Sequence, residues 1–70
     1  MSDRLADLLL DLVRGLNLEV KQAVIEREDG AASWRLQARG STGETWTAEH
    51  ADRYLAAVML AELVGVELID

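Results

Sequence analysis

The sequence has no cysteine, no proline and no phenylalanine, and its single histidine is His50. Without cysteine the chain can form neither a disulfide nor a thiolate metal site, and one imidazole cannot supply a multi-histidine zinc site. A chain of 70 residues buries only about 60% of the surface that its unfolded form exposes. Small domains are usually stabilised by a disulfide, a metal or a partner chain. The composition therefore predicts stabilisation by a partner chain.

Groups that could carry out catalysis are equally scarce. Nucleophilic catalysis needs a serine, cysteine or threonine beside a base, and the one imidazole lies in the first turn of a predicted helix. The turn from Gly40 to Gly43 is followed by neither a lysine nor a helix, so it does not form a phosphate-binding loop. No short loop carries the alternating oxygen ligands and central glycine of a calcium site. We therefore expect no enzymatic activity, no metal and no cofactor.

Acidic residues outnumber basic ones by 13 to 7, which gives a net charge of −6. Binding to nucleic acid or to an anionic membrane requires clustered cations, so we expect neither. The longest apolar stretch, Tyr54 to Ala61, is too short to span a bilayer. The first four residues lack the basic start of a secretory signal, and the chain is predicted to be soluble and cytoplasmic. The acidic surface is either a solubilising face or a docking face for a basic partner.

Leucine spacing predicts a first helix over Asp3–Leu16, with Ser2 as its N-cap. Further apolar residues widen the apolar arc to roughly 200°, whereas one packed face needs only about 100°. Two interpretations follow: the helix sits deep in the core, or part of the arc, around Leu10 and Val13, contacts another chain. The leucines whose helical spacing predicts this helix lie on one face and are Leu5, Leu8, Leu9, Leu12 and Leu16.

Alternating and β-branched residues predict a three-stranded meander. The Asp29–Gly30 pair is a strong hairpin signal. A two-residue loop there would place Ile25 opposite Trp34, whereas a three-residue loop would place Val24 opposite Leu36 and bury Leu18 and Val20. The sequence leaves this register open. The predicted strands are Leu18–Glu28, Ala31–Arg39 and Glu44–Trp46.

A second helix is predicted over Ala48–Val64, with Thr47 as N-cap and Gly65 just beyond its C-terminus. The helix is apolar nearly all round from Tyr54 onward, which is typical of a helix covered on every side. The predicted fold is therefore a single α+β domain over residues 1–70. Its order is α-β-β-β-α, a three-stranded antiparallel meander with two helices packed on one face. Residues 66–70 form either a short fourth strand or a tail.

Excess apolar helix surface without catalytic chemistry predicts a small acidic protein–protein interaction module. We expect a non-enzymatic regulator or adaptor, of bacterial or phage origin, that acts as a homodimer. The alternative is an acidic phage-type inhibitor that uses Asp3, Asp7 and Asp11 to block a nucleic-acid-binding groove of a host defence or replication protein. The predicted self-association stripe comprises Leu10, Val13, Ala57, Leu60, Ala61 and Val64. The predicted site for another protein, on the outer sheet face and beside it, comprises Gln22, Val24, Arg35, Gln37, Arg39 and Trp46.

Overall fold

A computed structural model describes residues 2–66 of the chain. The three strands form one antiparallel sheet in the order β1-β2-β3, and both helices pack on one of its faces. The predicted α-β-β-β-α architecture is thus confirmed. Of residues 66–70, predicted as either a short fourth strand or a tail, only Val66 is among the described residues, and it belongs to no strand. The elements are α1 (Ser2–Arg14), β1 (Glu19–Glu26), β2 (Ala32–Arg39), β3 (Thr45–His50) and α2 (Arg53–Val64).

The boundary between β3 and α2 lies later than the sequence predicts. The segment expected to begin the helix continues β3, because it pairs along β2 and buries Ala48 opposite Leu36. These tertiary contacts outweigh the weak local preference for helix. The N-cap is therefore Asp52, not Thr47, and its carboxylate accepts a hydrogen bond from the Tyr54 amide at 2.9 Å. The C-terminal prediction is confirmed, since Gly65 caps the helix with φ 92°.

The hairpin between β1 and β2 has a register that neither sequence alternative contains. Its loop is one residue longer than the Asp29–Gly30 pair and begins earlier, so that the Arg27 amide donates to the Ala31 carbonyl at 2.8 Å. Gly30 takes φ 85° in this loop, a conformation that glycine adopts without steric cost. As a result, Val24 pairs with Trp34.

This register decides which residues share a face of the sheet, because residues paired across strands point to the same side. Ile25 pairs with Ser33, so neither the Ile25–Trp34 pair of the two-residue alternative nor the Val24–Leu36 pair of the three-residue alternative is formed. Leu18 and Val20 pack against the core, as the three-residue alternative expected. The helix-covered face carries Val20, Gln22, Val24, Trp34, Leu36, Ala38, Trp46, Ala48 and His50.

The core between sheet and helices is built largely from alanine. Six of its ten buried hydrophobic residues are alanine, and only four have larger side chains. The molecule is correspondingly flat, measuring 35 × 30 × 15 Å. Small side chains allow the helices to lie close to the sheet, but they also remove little apolar surface from water. The buried residues are Ala6, Leu10, Val13, Leu36, Ala38, Ala48, Ala56, Ala57, Leu60 and Ala61.

Candidate interaction surfaces

The stripe predicted for self-association lies inside a single chain. Five of its six residues have no exposed surface, and the sixth, Val64, is half-buried against the same cluster. These side chains cover one another where α1 packs on α2 and α2 packs on the sheet. A second chain could reach them only if the fold opened, so this stripe is corrected from an interface to a core. The fully buried five are Leu10, Val13, Ala57, Leu60 and Ala61.

The leucines of α1 that carry its helical spacing lie on the surface instead. Each of the four is 50–54% exposed, although the smaller Ala6 on the same helix is fully buried. At 100° per residue, these four leucines occupy the part of the apolar arc that points away from the buried part. The sequence thus predicted the width of the apolar arc. The part of α1 predicted to contact another chain is buried, however, and the leucines that carry the helical spacing are exposed. We define the α1 leucine stripe as Leu5, Leu8, Leu12 and Leu16.

The second helix also presents an apolar stripe to solvent. Its three members follow one another every four residues and are 41–53% exposed. Met59 and Leu63, together with Glu62, line a shallow depression. Since the opposite side of α2 provides four of the ten core residues, the helix is apolar on both its buried and its exposed sides. We define the α2 apolar stripe as Leu55, Met59 and Leu63.

Arg53, at the start of α2, connects both helices to the sheet. Its side chain is 12% exposed; one terminal nitrogen lies 2.6 Å from an Asp7 carboxylate oxygen of α1. Its Nε donates to the Gln22 side-chain oxygen of β1 at 2.9 Å. The guanidinium also lies 5.5 Å from the centroid of the Trp34 ring. One cation thus satisfies partners on three elements, which indicates a structural role in docking the helices.

The outer face of the sheet holds only half of the residues predicted for a partner. Arg35, Gln37 and Arg39 lie there, since they alternate with the buried side chains of β2. Gln22 and Val24 point to the helix-covered side instead, because the register differs from the predicted one. Trp46 is half-buried on that same side and packs against the core. The predicted site is therefore divided between the two faces.

On the outer face of the sheet, two arginine side chains lie near the carboxylate of Glu49 in β3. An Arg35 nitrogen lies 3.3 Å from one oxygen of this carboxylate, and an Arg27 nitrogen lies 3.8 Å from the other. Both arginines are about half exposed, so these ion pairs add little to stability. Lys21 and Arg39, also on this face, form no ion pair with the described side chains.

The acidic line of α1 is partly neutralised within the chain. Asp7 pairs with Arg53, and Asp11 pairs with Arg14 at 2.9 Å. The side chain of Asp3 lies outside the described ones. Less negative charge is therefore presented to a basic partner than the sequence alone suggests.

His50 takes part in local structure. Its Nδ1 accepts a hydrogen bond from the Asp52 amide at 2.9 Å, between β3 and α2. In the part of the chain that the structure describes, no group of three or more His, Cys, Asp or Glu side chains could hold a metal ion.

The exposed stripes are the feature that sequence reasoning missed. The signal was the regular spacing of the large leucines, which was interpreted as the core-facing pattern. Among residues 2–66, no helix has the length and apolar character needed to cross a membrane.

Comparison with protein-family models, curated proteins and solved structures finds no match to this chain.

Proposed function

We propose that the protein is a non-enzymatic protein–protein interaction module, a regulator or adaptor, that associates with a second copy of itself through the exposed sides of its helices. The observation that carries the proposal is the pair of apolar stripes on α1 and α2. Together they leave seven large side chains 41–54% exposed on one small domain. Large exposed apolar patches are typical of protein interaction sites.

The composition of the core supports association with a second copy. With alanine at six of ten buried positions, one chain leaves more leucine outside its core than inside it. A partner that is always present would remove this surface from water, and a second copy meets that condition. Obligate homodimers often have no stable folded monomer.

The free energies are of the right size for a dimer. Burying a leucine or methionine completely contributes about 1.5–3 kcal/mol, so covering the exposed half of each gives about 1 kcal/mol. Seven such side chains per chain correspond to about 14 kcal/mol for two chains at this value. Association itself costs about 4–15 kcal/mol. A dimer that forms at micromolar concentration is consistent with these values.

The charges of α1 also suit this surface. At 100° per residue, Asp7 and Arg14 lie on the side of the helix away from the leucine stripe, and Asp11 lies at the edge of the stripe beside Leu8. Interface centres are depleted of charged residues and surrounded by a polar rim. Two copies could therefore meet along the stripes without bringing these carboxylates into the centre of the contact.

The test is the mass in solution of the intact chain and of Leu12→Glu, measured by light scattering at micromolar concentration. Leu12 is 54% exposed in the middle of the α1 leucine stripe, so the substitution should convert the dimer into a monomer. Ser41→Glu is the matched control, because it adds the same charge in an exposed turn away from the helices. The control should remain a dimer.

Two further readouts keep this test decisive. The melting temperature of a dimer rises with protein concentration, and this can be measured on the unmodified chain even if Leu12→Glu fails to fold. Circular dichroism reports whether each variant keeps its helices. A fully helical monomer of the unmodified chain, with a melting temperature independent of concentration, would exclude the dimer.

No specific observation favours the alternative function, an acidic inhibitor of a nucleic-acid-binding protein. Two of the three aspartates that it relies on are engaged by arginines of the same chain. We therefore retain the interaction module as the single proposed function.

A further inference from the structure

Most of the chain's positive charge is gathered on the outer face of the sheet. The chain has seven Lys and Arg residues, and four of them lie on this face. Along the described strands, the same face carries two carboxylates, those of Glu19 and Glu49. The three cations within the strands exceed these carboxylates by one charge, and Arg27 in the adjoining loop adds another cation, although the whole chain has a net charge of −6. The four cations are Lys21, Arg27, Arg35 and Arg39.

A shallow depression lies among these cations. It is lined by Lys21, Gln22, Ala23, Arg35 and Gln37, with a volume of about 240 Å³. Ala23 pairs with Arg35, and Lys21 pairs with Gln37 across the two strands. The small side chain of Ala23 leaves the space open, while two cationic residues and two glutamines line it. These donors suit an anionic group that approaches the sheet from outside.

We propose that this face binds an acidic segment of a protein partner, with a carboxylate in the depression and further carboxylates along Arg35 and Arg39. Arginine and carboxylate form charge-assisted hydrogen bonds that are about twice as strong as neutral ones. Hydroxyl groups of Thr45 and Thr47, exposed on the same face, add donors for the partner's backbone. The proposal goes beyond self-association, because this face lies on the opposite side of the sheet from the helices.

Two features favour an acidic peptide over a nucleic acid. Base stacking requires aromatic side chains, and the outer face has none among the described residues. A long phosphate chain would also meet the acidic remainder of the molecule, whereas a short peptide meets only the local positive charge. The ligand that fits is therefore a short run of aspartate or glutamate.

The carboxylate of Glu49 neutralises part of the positive charge on this face. This carboxylate lies 3.3 Å from Arg35 and 3.8 Å from Arg27, so it competes with a carboxylate of the partner. Glu49→Gln removes the competing charge and keeps the shape of the side chain. This substitution should increase affinity for an acidic peptide, whereas a purely structural role for Glu49 predicts no increase.

The experiment uses a fluorescein-labelled peptide of alternating glutamate and serine, with binding followed by fluorescence anisotropy at low ionic strength. The double variant Lys21→Gln/Arg39→Gln should weaken binding at least tenfold, since the loss of even one charge-assisted hydrogen bond of about 1.5 kcal/mol has that effect. The matched control is Arg4→Gln/Arg14→Gln, which removes the same charge from exposed positions on α1. The control should bind like the unmodified chain.

Three results would overturn the proposal: no binding of the peptide to the unmodified chain, equal weakening by both double variants, or tighter binding of a single-stranded oligonucleotide of equal charge. Circular dichroism shows whether each variant is folded, and each exposed glutamine is compatible with its element. The proposals of a dimer and of a site for an acidic segment can be refuted independently. Peptide binding is measured on the unmodified chain, whether that chain is a monomer or a dimer.

Discussion

Arg53 offers the sharpest test of how the helices are held on the sheet. We consider Arg53→Met, which keeps most of the aliphatic length and removes the guanidinium. The substitution eliminates the ion pair with Asp7, the hydrogen bond to Gln22 and the contact with the Trp34 ring. These partners belong to three different elements, so the change should loosen both helices at once.

The expected loss follows from the exposure of each partner. A hydrogen bond to a charged group contributes about 1.5–3 kcal/mol, but Asp7 is 64% exposed and can be rehydrated, so its share is about 1 kcal/mol. The bond to Gln22 adds about 1.5 kcal/mol, and the contact with Trp34 adds about 0.5 kcal/mol. The free energy of unfolding should therefore fall by about 3 kcal/mol.

The assay is urea unfolding at one fixed protein concentration, followed by circular dichroism and by tryptophan fluorescence. Arg14→Met is the matched control, since Arg14 forms an ion pair with Asp11 in which both side chains are largely exposed. That pair should contribute no more than about 0.5 kcal/mol. If Arg53→Met lowers the free energy of unfolding no more than Arg14→Met does, the Arg53 guanidinium does not dock the helices on the sheet.

Three further substitutions test the packing and the corrected helix start. Leu36→Ala should lower the free energy of unfolding by about 2–5 kcal/mol, because Leu36 is fully buried at the centre of β2 and its removal leaves a cavity; a urea midpoint equal to that of the unmodified chain would contradict this. Asp52→Ala should cost about 1 kcal/mol by removing the N-cap of α2. Thr47→Ala should lower the free energy of unfolding by less than Asp52→Ala does. If Thr47→Ala lowered it by more, Thr47 would be the N-cap of α2.

The order of elements could be predicted from sequence because each depends on local signals. Gly65 ends α2 in the left-handed conformation that glycine accepts, and Gly43 takes φ 90° in the predicted second turn. The predicted start of α2 was wrong because residues 47–50 pair with β2, and this pairing cannot be recognised from the local sequence. Pairing with β2 residues 10–16 positions away along the chain is a tertiary interaction, so local preference cannot reveal it.

The candidate surfaces depended on information of a different kind. Hydrophobic periodicity shows that a helix has an apolar arc, but it does not show which part of a wide arc faces the sheet. The side of α1 that carries Ala6, Leu10 and Val13 packs inward, and the leucines at 5, 8, 12 and 16 remain outside. Similarly, a one-residue difference in the hairpin moved Val24 and Gln22 to the helix-covered face.

By itself, the sequence determined the fold class, the number and order of the elements, the scarcity of catalytic groups and the excess of apolar surface. These properties follow from composition, periodicity and turn residues, which act over a few positions along the chain. Only the tertiary structure decided which apolar residues form the core, which remain exposed, and that positive charge gathers on one face of an acidic protein. Those outcomes depend on strand register and on how closely helices approach, and both are set by packing between distant segments.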